Sequence, residues 1–200
     1  MEQIKDSEVS PKILQIAHGR IIPKFSSAYS LRCHSLLRIS NRKLISFAGA
    51  IYRDEKMDYA EQYRSFVVSV LSLIKGNRIL EIYISKGKFL RKKYLKRLRE
   101  LVTQSDIIIF EGPWQYNLVK DFLDKKFVVY DAHNVEYSLR EKNKFKKECK
   151  LVESALVNRA EIVLVVTKRD LKIFKEMYDI NESKLFFSPH TVNVAGTLWV

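Results

Sequence analysis

The chain alternates between short apolar runs and longer segments with helical periodicity, and this alternation restricts its possible folds more than any other feature. The apolar runs are nearly continuous, as in strands that are covered on both faces. Seven of them are predicted as strands, at residues 12–17, 43–48, 79–84, 106–110, 127–130, 162–167 and 184–188. Amphipathic segments predict helices at residues 30–39, 58–73, 90–102, 116–123, 135–159 and 168–178. This order predicts an α/β fold with a doubly wound parallel sheet of about seven strands and helices on both faces.

A large excess of positive charge indicates anionic partners. The 200 residues include 36 Lys and Arg against 23 Asp and Glu, a net charge of +13. Nucleic acid, phospholipid headgroups and phosphorylated small molecules all attract such a chain, and charge alone does not choose among them. No RNP-like aromatic motif, helix-turn-helix pattern or zinc-ligand spacing accompanies the charge, so nucleic acid is the weakest of these candidates.

Nothing in the sequence indicates export or membrane insertion. Residues 1–11 are polar and lack the apolar segment of a signal peptide. The apolar runs are far shorter than the about 18–20 residues of a spanning helix. Cys33 and Cys149 match neither a disulfide framework nor a metal-ligand pair. We therefore expect a cytoplasmic protein with two reduced cysteines.

Polar side chains concentrate in the loops that follow the predicted strands, where doubly wound sheets bind their ligands. The candidate loops are residues 18–27, 111–115, 131–137, 167–170 and 189–193. They contain three of the four histidines, His18, His133 and His190. We expect one open cleft to collect His18, Ser27, Trp114 and His133.

The loop after the first predicted strand leads into a helix through Ser26 and Ser27. Serines at a helix start cap free backbone N–H groups, and the same helix end favours phosphate. This stretch alone is equally compatible with capping and with phosphate binding. Neither G-x-G-x-x-G nor G-x-x-x-x-G-K-[ST] is present, which argues against dinucleotide oxidoreductases and P-loop proteins.

The most distinctive segment follows the predicted strand at residues 127–130. It reads Asp-Ala-His-Asn-Val-Glu-Tyr at residues 131–137, so an apolar strand ends in several hydrogen-bonding groups. Sugar hydroxyls need such donors and acceptors, and an imidazole can also lie against a phosphate. In the structural alternative, Asp131 and Asn134 cap the next helix while His133 packs inside. We favour a functional role for His133 because it lies at the end of a strand.

A second strand-end loop, residues 111–115, contains Trp114. An exposed indole there would stack on a sugar ring or line an acceptor cleft. Alternatively, the loop is an ordinary turn and Trp114 folds back onto the core.

Three segments occur in an order typical of one enzyme family. They are the turn at residues 131–137, the stretch from Glu153 to Thr167 and the segment from Lys184 to Asn193. They resemble, respectively, the D-x-H-N-x-E, E-x-x-L-x-x-x-A-D-x-V-x-x-V-S and K-x-x-V-x-P-N-G-V-N motifs of family-4 type glycosyltransferases with the GT-B fold. The resemblance implies that residues 12–194 form the Rossmann-like N-terminal domain of such an enzyme, which mainly binds the acceptor.

The resemblance also implies the reaction and its residues. A sugar would pass from a nucleotide-sugar donor to a lipid-linked or saccharide acceptor in a cleft between two Rossmann-like halves. His133 would be the catalytic residue, in contact with the donor sugar or its phosphate. The candidate donor- or acceptor-binding residues are His18, Ser26, Ser27, Trp114, Asn134 and Glu136. Charged side chains and helix N-termini stabilise the leaving diphosphate in this family, so neither a cofactor nor a required metal is expected.

The domain boundaries follow from the same resemblance. Residues 1–11 form a tail, residues 12–194 the acceptor-side domain, and residues 195–200 a short end without the family's donor-binding domain. We therefore expect a separate donor-binding domain or subunit as partner, and weak nucleotide-sugar binding by the chain alone. Two departures from the family are Ser26-Ser27-Ala28 in place of glycines and His190-Thr191 in place of Asn-Gly. A non-catalytic module that binds membranes or a partner is the alternative function.

Residues 86–99 combine helically spaced leucines with many basic side chains. We expect the leucines to pack on the sheet and the basic side chains to face an anionic membrane surface, with the protein peripheral to the inner face of the membrane. The candidate surface residues are Lys88, Arg91, Lys92, Lys93, Lys96 and Arg97. Each basic residue near such a surface contributes about 1 kcal/mol. In the alternative, the basic face only contacts solvent.

Overall fold

A single sheet of eight strands forms the centre of the chain, in a computed structural model that describes residues 10–21, 28–35, 41–49, 55–67, 70, 74, 77–88, 90–140 and 145–189. The strands are β1 (Ile13–His18), β2 (Arg42–Gly49), β3 (Glu55–Lys56), β4 (Ala60–Ser65), β5 (Ile107–Phe110), β6 (Phe127–Ala132), β7 (Ile162–Val165) and β8 (Leu185–Phe187). Their order in the sheet is β3-β4-β2-β1-β5-β6-β7-β8. Seven strands are parallel, and the short edge strand β3 pairs with β4 in the antiparallel direction.

Helices cover both faces of this sheet. The α-helices with described bounds are α1 (Ala28–Ser35), α2 (Asn77–Ser85), α3 (Lys92–Gln104), α4 (Tyr116–Val119), α5 (Lys146–Arg159) and α6 (Lys168–Tyr178). On one face, Cys33 of α1 packs against Ala17 and Leu44. On the other, Tyr94 of α3 contacts Phe47, with the ring centroids 4.9 Å apart. The predicted α/β, Rossmann-like fold class is therefore confirmed.

The main core lies on the face that α3 covers. Leu14, Ile16, Phe110 and Tyr130 are fully buried there, together with Trp114. Each fully buried side chain of this kind stabilises the fold by about 1.5–3 kcal/mol. None of the helices within the described ranges combines the length and apolar character needed to cross a bilayer.

The predicted secondary structure is wrong in two segments. Residues 79–84 were expected to form a strand but lie in α2, and Ala60–Ser65 forms β4 within a region predicted as a helix. The three isoleucines at residues 79–84 favour a strand by propensity, but so short a run does not separate strand from buried helix. Ala60–Ser65 is more polar, and it becomes a strand because its backbone pairs with β2 on one side and β3 on the other.

The helix predicted at residues 135–159 is also shorter than expected. It begins at Lys146 in α5, and turns with a short 3-10 helix (Ser138–Arg140) precede it. The hydrogen bonds of Glu153 explain this, since they hold the backbone after β6 in a turn. Its carboxylate accepts hydrogen bonds from the backbone N–H groups of Glu136 and Tyr137, both at 3.0 Å. The hydroxyls of Tyr130 and Tyr178 donate to the same carboxylate, at 2.9 and 2.5 Å.

Because Glu153 is fully buried and lies near the charge of Glu136, its pKa is raised from 4.5 to about 7. The folded protein therefore holds a proton that the unfolded chain releases between about pH 4.5 and 7. We expect this group to make the unfolding free energy fall as pH rises through that window. Asp131, whose pKa is raised from 3.8 to about 6, acts in the same direction, so only a comparison of variants isolates Glu153.

Glu153→Gln should remove the contribution of Glu153 to the pH dependence of the unfolding free energy. The amide oxygen still provides an acceptor for the backbone N–H groups. Urea unfolding of the wild type, Glu153→Gln and the surface control Glu100→Gln, across pH 4 to 8, measures the difference. The free energy of Glu153→Gln should decline less with pH than those of the other two proteins. Three parallel pH profiles would contradict the assignment.

Candidate functional site

The candidate site lies at the carboxyl edge of the sheet, where the chain connections diverge. β1 lies between β2 and β5, so the chain leaves it towards one side and returns on the other. In open parallel sheets, ligands bind at such a switch point, outside the carboxyl ends of the strands. His18 ends β1 and Glu111 follows β5, which places both residues at this point.

A row of buried polar side chains, here called the polar row, crosses four neighbouring strands beneath α1. Arg42 Nη1 donates to Gln15 Oε1 at 2.5 Å, and Gln15 Nε2 donates to Glu111 Oε1. The other oxygen of Glu111 lies 2.5 Å from His133 Nε2. Arg42, Gln15 and Glu111 are almost inaccessible, and the His133 side chain is 7% exposed. His133 is thus enclosed, but by polar partners at the sheet edge and not by the hydrophobic interior.

An ion pair between Arg32 and Asp131 lies beside the polar row. Arg32 Nε donates to Asp131 Oδ2 at 3.0 Å, and its Nη2 also bonds the carboxylate. Arg32 Nη1 donates to the carbonyl of Ser188 at 3.0 Å. Burial and the charge of Glu111 raise the pKa of Asp131 to about 6, although Arg32 acts in the opposite direction. Arg32 therefore joins α1 to the ends of β6 and β8.

Aromatic rings enclose the other side of His133. The centroids of the Tyr29 and His133 rings are 4.6 Å apart, and those of Tyr29 and His18 are 4.9 Å apart. The Tyr29 hydroxyl lies 3.1 Å from His18 Nδ1 and accepts the backbone N–H of His18 at 3.0 Å. Glu81 of α2 lies 3.7 Å from His18 Nε2. Side chains from β1, α1, α2 and the loop after β6 therefore meet at one place.

The structure brings together three of the four residues expected in one cleft. His18 contacts Tyr29, which contacts His133, and the ring of Trp114 lies 6.4 Å from that of His18. Trp114 is fully buried, which favours the alternative that it folds back onto the core. Ser26, Ser27 and His190 lie outside the described residues.

The two remaining candidates of the loop after β6 have different surroundings. Asn134 is exposed at the edge of the sheet. Glu136 is 7% exposed, and its backbone N–H is bound by Glu153. Asn134 can therefore reach a ligand directly, whereas Glu136 lies in the part of the loop that Glu153 fixes.

Neither a protein-family model nor a curated protein matches this sequence. Among solved structures, sucrose-phosphate synthase from Thermosynechococcus elongatus is similar, with a TM-score of 0.55 and 11% identity over 92% of this chain and 49% of that one. Anabaena HepE, in complex with UDP and glucose, has the same TM-score and identity over 90% of this chain and 44% of its own.

The chain thus spans about half the length of these two structures. At this identity the likeness shows the fold, a Rossmann-like α/β fold that the chain shares with glycosyltransferases of the GT-B class. Because one fold hosts many activities, function has to be argued from the site itself.

Sequence reasoning missed most members of the polar row. Gln15 is a polar residue inside an otherwise apolar strand, and it becomes fully buried. Such a position is the signal that could have identified it, since a buried amide requires partners. Glu111 could have been found from its position directly after β5, next to the switch point. The roles of Tyr29 and Arg32 depend on how α1 packs on the sheet, which no local pattern reveals.

One group of three possible metal ligands is present within the described ranges. Donor atoms of Cys33, Glu111 and His133 lie within 4.8 Å of one another, and this combination suits Zn²⁺. Burial, together with the Glu111 charge, raises the pKa of the Cys33 thiol well above its usual value. Zinc binds the thiolate, so a metal at this place would have to displace the thiol proton. Glu111 and His133 are also bound to each other by a hydrogen bond. The expectation that no metal is required stays a prediction.

The basic side chains expected at a membrane surface are mostly exposed. Lys88, Arg91, Lys92, Lys93 and Lys96 are exposed at α3 and the turn before it. Arg97 instead forms a bidentate ion pair with Glu61, with its Nη2 at 2.7 Å, so it contacts the sheet. Lys92, Lys96 and Arg99 also line a groove of about 610 Å³ with Leu95. This groove shares no residue with the polar row.

Gly112 permits the close packing of His18. A Cβ atom at this position would lie 2.8 Å from two atoms of the His18 ring. Because Tyr29 holds that ring, Gly112→Ala should displace it and cost about 1–3 kcal/mol of unfolding free energy. Urea unfolding measures the cost, and nuclear Overhauser effects between the His18 and Tyr29 rings report the displacement.

Gly87→Ala is the matched control, since the added methyl would meet only Leu118, at 3.4 Å. Its positive φ makes this substitution costly as well, but the contact between His18 and Tyr29 should persist. An unchanged ring contact in Gly112→Ala would contradict the packing argument.

Proposed function

We propose that this chain is the acceptor-side domain of a GT-B type glycosyltransferase. Together with a donor-binding domain, it would transfer a sugar from a nucleotide-sugar to a lipid-linked or saccharide acceptor, with retention of configuration. The observation that carries this proposal is the enclosed polar cluster around His133 at the switch point of the sheet. The fold shared with sucrose-phosphate synthase and with HepE, whose structure contains UDP and glucose, supports it.

The cluster has the chemistry that sugar transfer needs. Sugar hydroxyls are recognised by side chains that donate and accept hydrogen bonds, and such groups surround the end of β6. As the nucleotide leaves, negative charge develops on its diphosphate, and preorganised donors stabilise that charge. We propose that His133, whose Nε2 is bound by Glu111, contacts the donor sugar, and that Ser26 and Ser27 lie near the diphosphate. His18 and Asn134 are proposed to bind the donor or the acceptor.

His133→Ala should reduce sugar transfer on the order of 10²- to 10³-fold, the range for losing one preorganised hydrogen-bonding group at the reacting centre. The assay supplies a donor-binding domain and radiolabelled UDP-glucose, because HepE is described with UDP and glucose bound. Circular dichroism should stay unchanged. Asn158→Ala, at an exposed position of α5, serves as the control. Full transfer by a folded His133→Ala protein would remove His133 from the mechanism.

The basic surface of α3 suggests where a lipid-linked acceptor is presented. The helix of a β-α-β crossover runs antiparallel to the strands, so α3 begins at the carboxyl edge of the sheet. Lys92 and Lys93 therefore lie at the same edge as His133, although α3 covers the opposite face. Five exposed basic residues there would attract an anionic membrane. We propose that the protein binds peripherally through this surface.

Vesicle co-sedimentation tests the membrane proposal. The chain should bind vesicles containing phosphatidylserine but not neutral phosphatidylcholine vesicles, and added salt should weaken the binding. Lys92→Glu/Lys93→Glu/Lys96→Glu should abolish it. Lys168→Glu/Arg169→Glu/Lys172→Glu makes the same charge change on exposed residues of α6 and should retain most of it.

Equal binding to both vesicle types would refute the electrostatic proposal. Binding to phosphatidylserine vesicles, without sugar transfer in the completed enzyme, would favour the non-catalytic membrane-binding module instead.

A further inference from the structure

The direction of every hydrogen bond in the polar row follows from Arg42. A guanidinium group donates hydrogen bonds and cannot accept them. Since Arg42 Nη1 lies 2.5 Å from the side chain of Gln15, the oxygen of that amide must face Arg42. The Gln15 nitrogen then faces Glu111 and donates to it. If the amide were rotated by half a turn, its NH₂ group would face the donor Arg42 and its oxygen would face the carboxylate of Glu111. Neither contact could form a hydrogen bond.

The donor and the acceptor of the next hydrogen bond, between Glu111 and His133, follow in the same way. Oε1 of Glu111 accepts from Gln15, and Oε2 lies 2.5 Å from His133 Nε2. Both oxygens of a carboxylate only accept hydrogen bonds. With Glu111 in that form, the hydrogen in the last bond belongs to His133 Nε2.

We propose that the polar row fixes His133 in a form protonated at Nε2, and that Glu111 is the positioning residue that orients its ring for sugar transfer. The catalytic part rests on the proposed function, whereas the protonated nitrogen rests on the hydrogen bonds of the Glu111 carboxylate. Glu111 and Tyr29 hold the imidazole from two directions, since the Tyr29 ring lies 4.6 Å from that of His133. The ring can neither flip nor change its donor atom without breaking the row.

The wild-type chain tests the proposal directly. Nitrogen-15 spectra of histidine-labelled protein at mildly alkaline pH distinguish protonated from unprotonated ring nitrogens, and four histidines give few signals. His133→Asn assigns the signals of His133 by their loss. We expect Nε2 of His133 to be protonated. A ring protonated at Nδ1 alone would overturn the proposal, whatever the behaviour of the variants.

Glu111→Gln should reverse the tautomer. The oxygen of the introduced amide must face the Gln15 nitrogen, so its NH₂ group faces His133. Nε2 then has to accept, and the proton moves to Nδ1. The double variant Gln15→Glu/Glu111→Gln restores the original direction, because the carboxylate at position 15 accepts from both Arg42 and the amide at position 111. That amide then presents its oxygen to His133, and Nε2 should again be protonated.

Glu81→Gln is the matched control, since Glu81 pairs with His18 at the same edge of the sheet. It should leave the signals of His133 unchanged. A His133 tautomer that is the same in wild type, Glu111→Gln and the double variant would show that the polar row does not set it.

Sugar transfer provides the second readout. In the enzyme completed by a donor-binding domain, Glu111→Gln should lower kcat on the order of 10²-fold, and the double variant should recover much of that loss. A tautomer that follows the predictions in a protein without sugar transfer supports the polar row and contradicts the proposed function. Unaltered kcat in Glu111→Gln, with a reversed tautomer, would overturn the positioning role.

Discussion

The burial of the Glu111 carboxylate at the switch point is the constraint on which the site depends. A buried carboxylate without hydrogen-bond partners costs several kcal/mol, so the surrounding strands have to provide them. Gln15 and His133 bind its two oxygens, and Arg42 provides a compensating charge one residue farther along the row. These partners come from β1, β2 and the loop after β6, and the arrangement therefore requires the parallel order of the sheet.

Two other buried carboxylates fix the segment that carries His133. Asp131 anchors its beginning through Arg32, and Glu153 anchors its end through the backbone of Glu136 and Tyr137. Burial raises the pKa of both acids, which means that it disfavours their charged forms. The hydrogen bonds of Asp131 and Glu153 therefore hold the segment in addition to any charge pairing. A loop held at both ends presents its side chains with little conformational freedom, as a preorganised site requires.

The division of the sheet into two unequal faces explains how a polar site coexists with a stable core. Most large apolar side chains pack on the face that α3 covers, where Trp114, Tyr94 and Tyr130 are fully buried. Among the described residues, the apolar clusters of the opposite face are small, and this face accommodates the polar row beneath α1. The polar row and the main core therefore lie on different faces of the same strands.

Local patterns in the sequence determined the alternation of strands and helices, the parallel sheet and the position of His133 at a strand end, because periodicity and turn chemistry act over a few residues. Only the tertiary structure decided that residues 79–84 are helical and that Trp114 faces the core, since propensity is weaker than backbone pairing and packing. The bond between Glu111 and His133 joins residues 22 positions apart, and that between Gln15 and Glu111 spans 96. Such contacts exist only because β1, β5 and β6 are neighbours in the sheet, and strand order is a property of the whole fold.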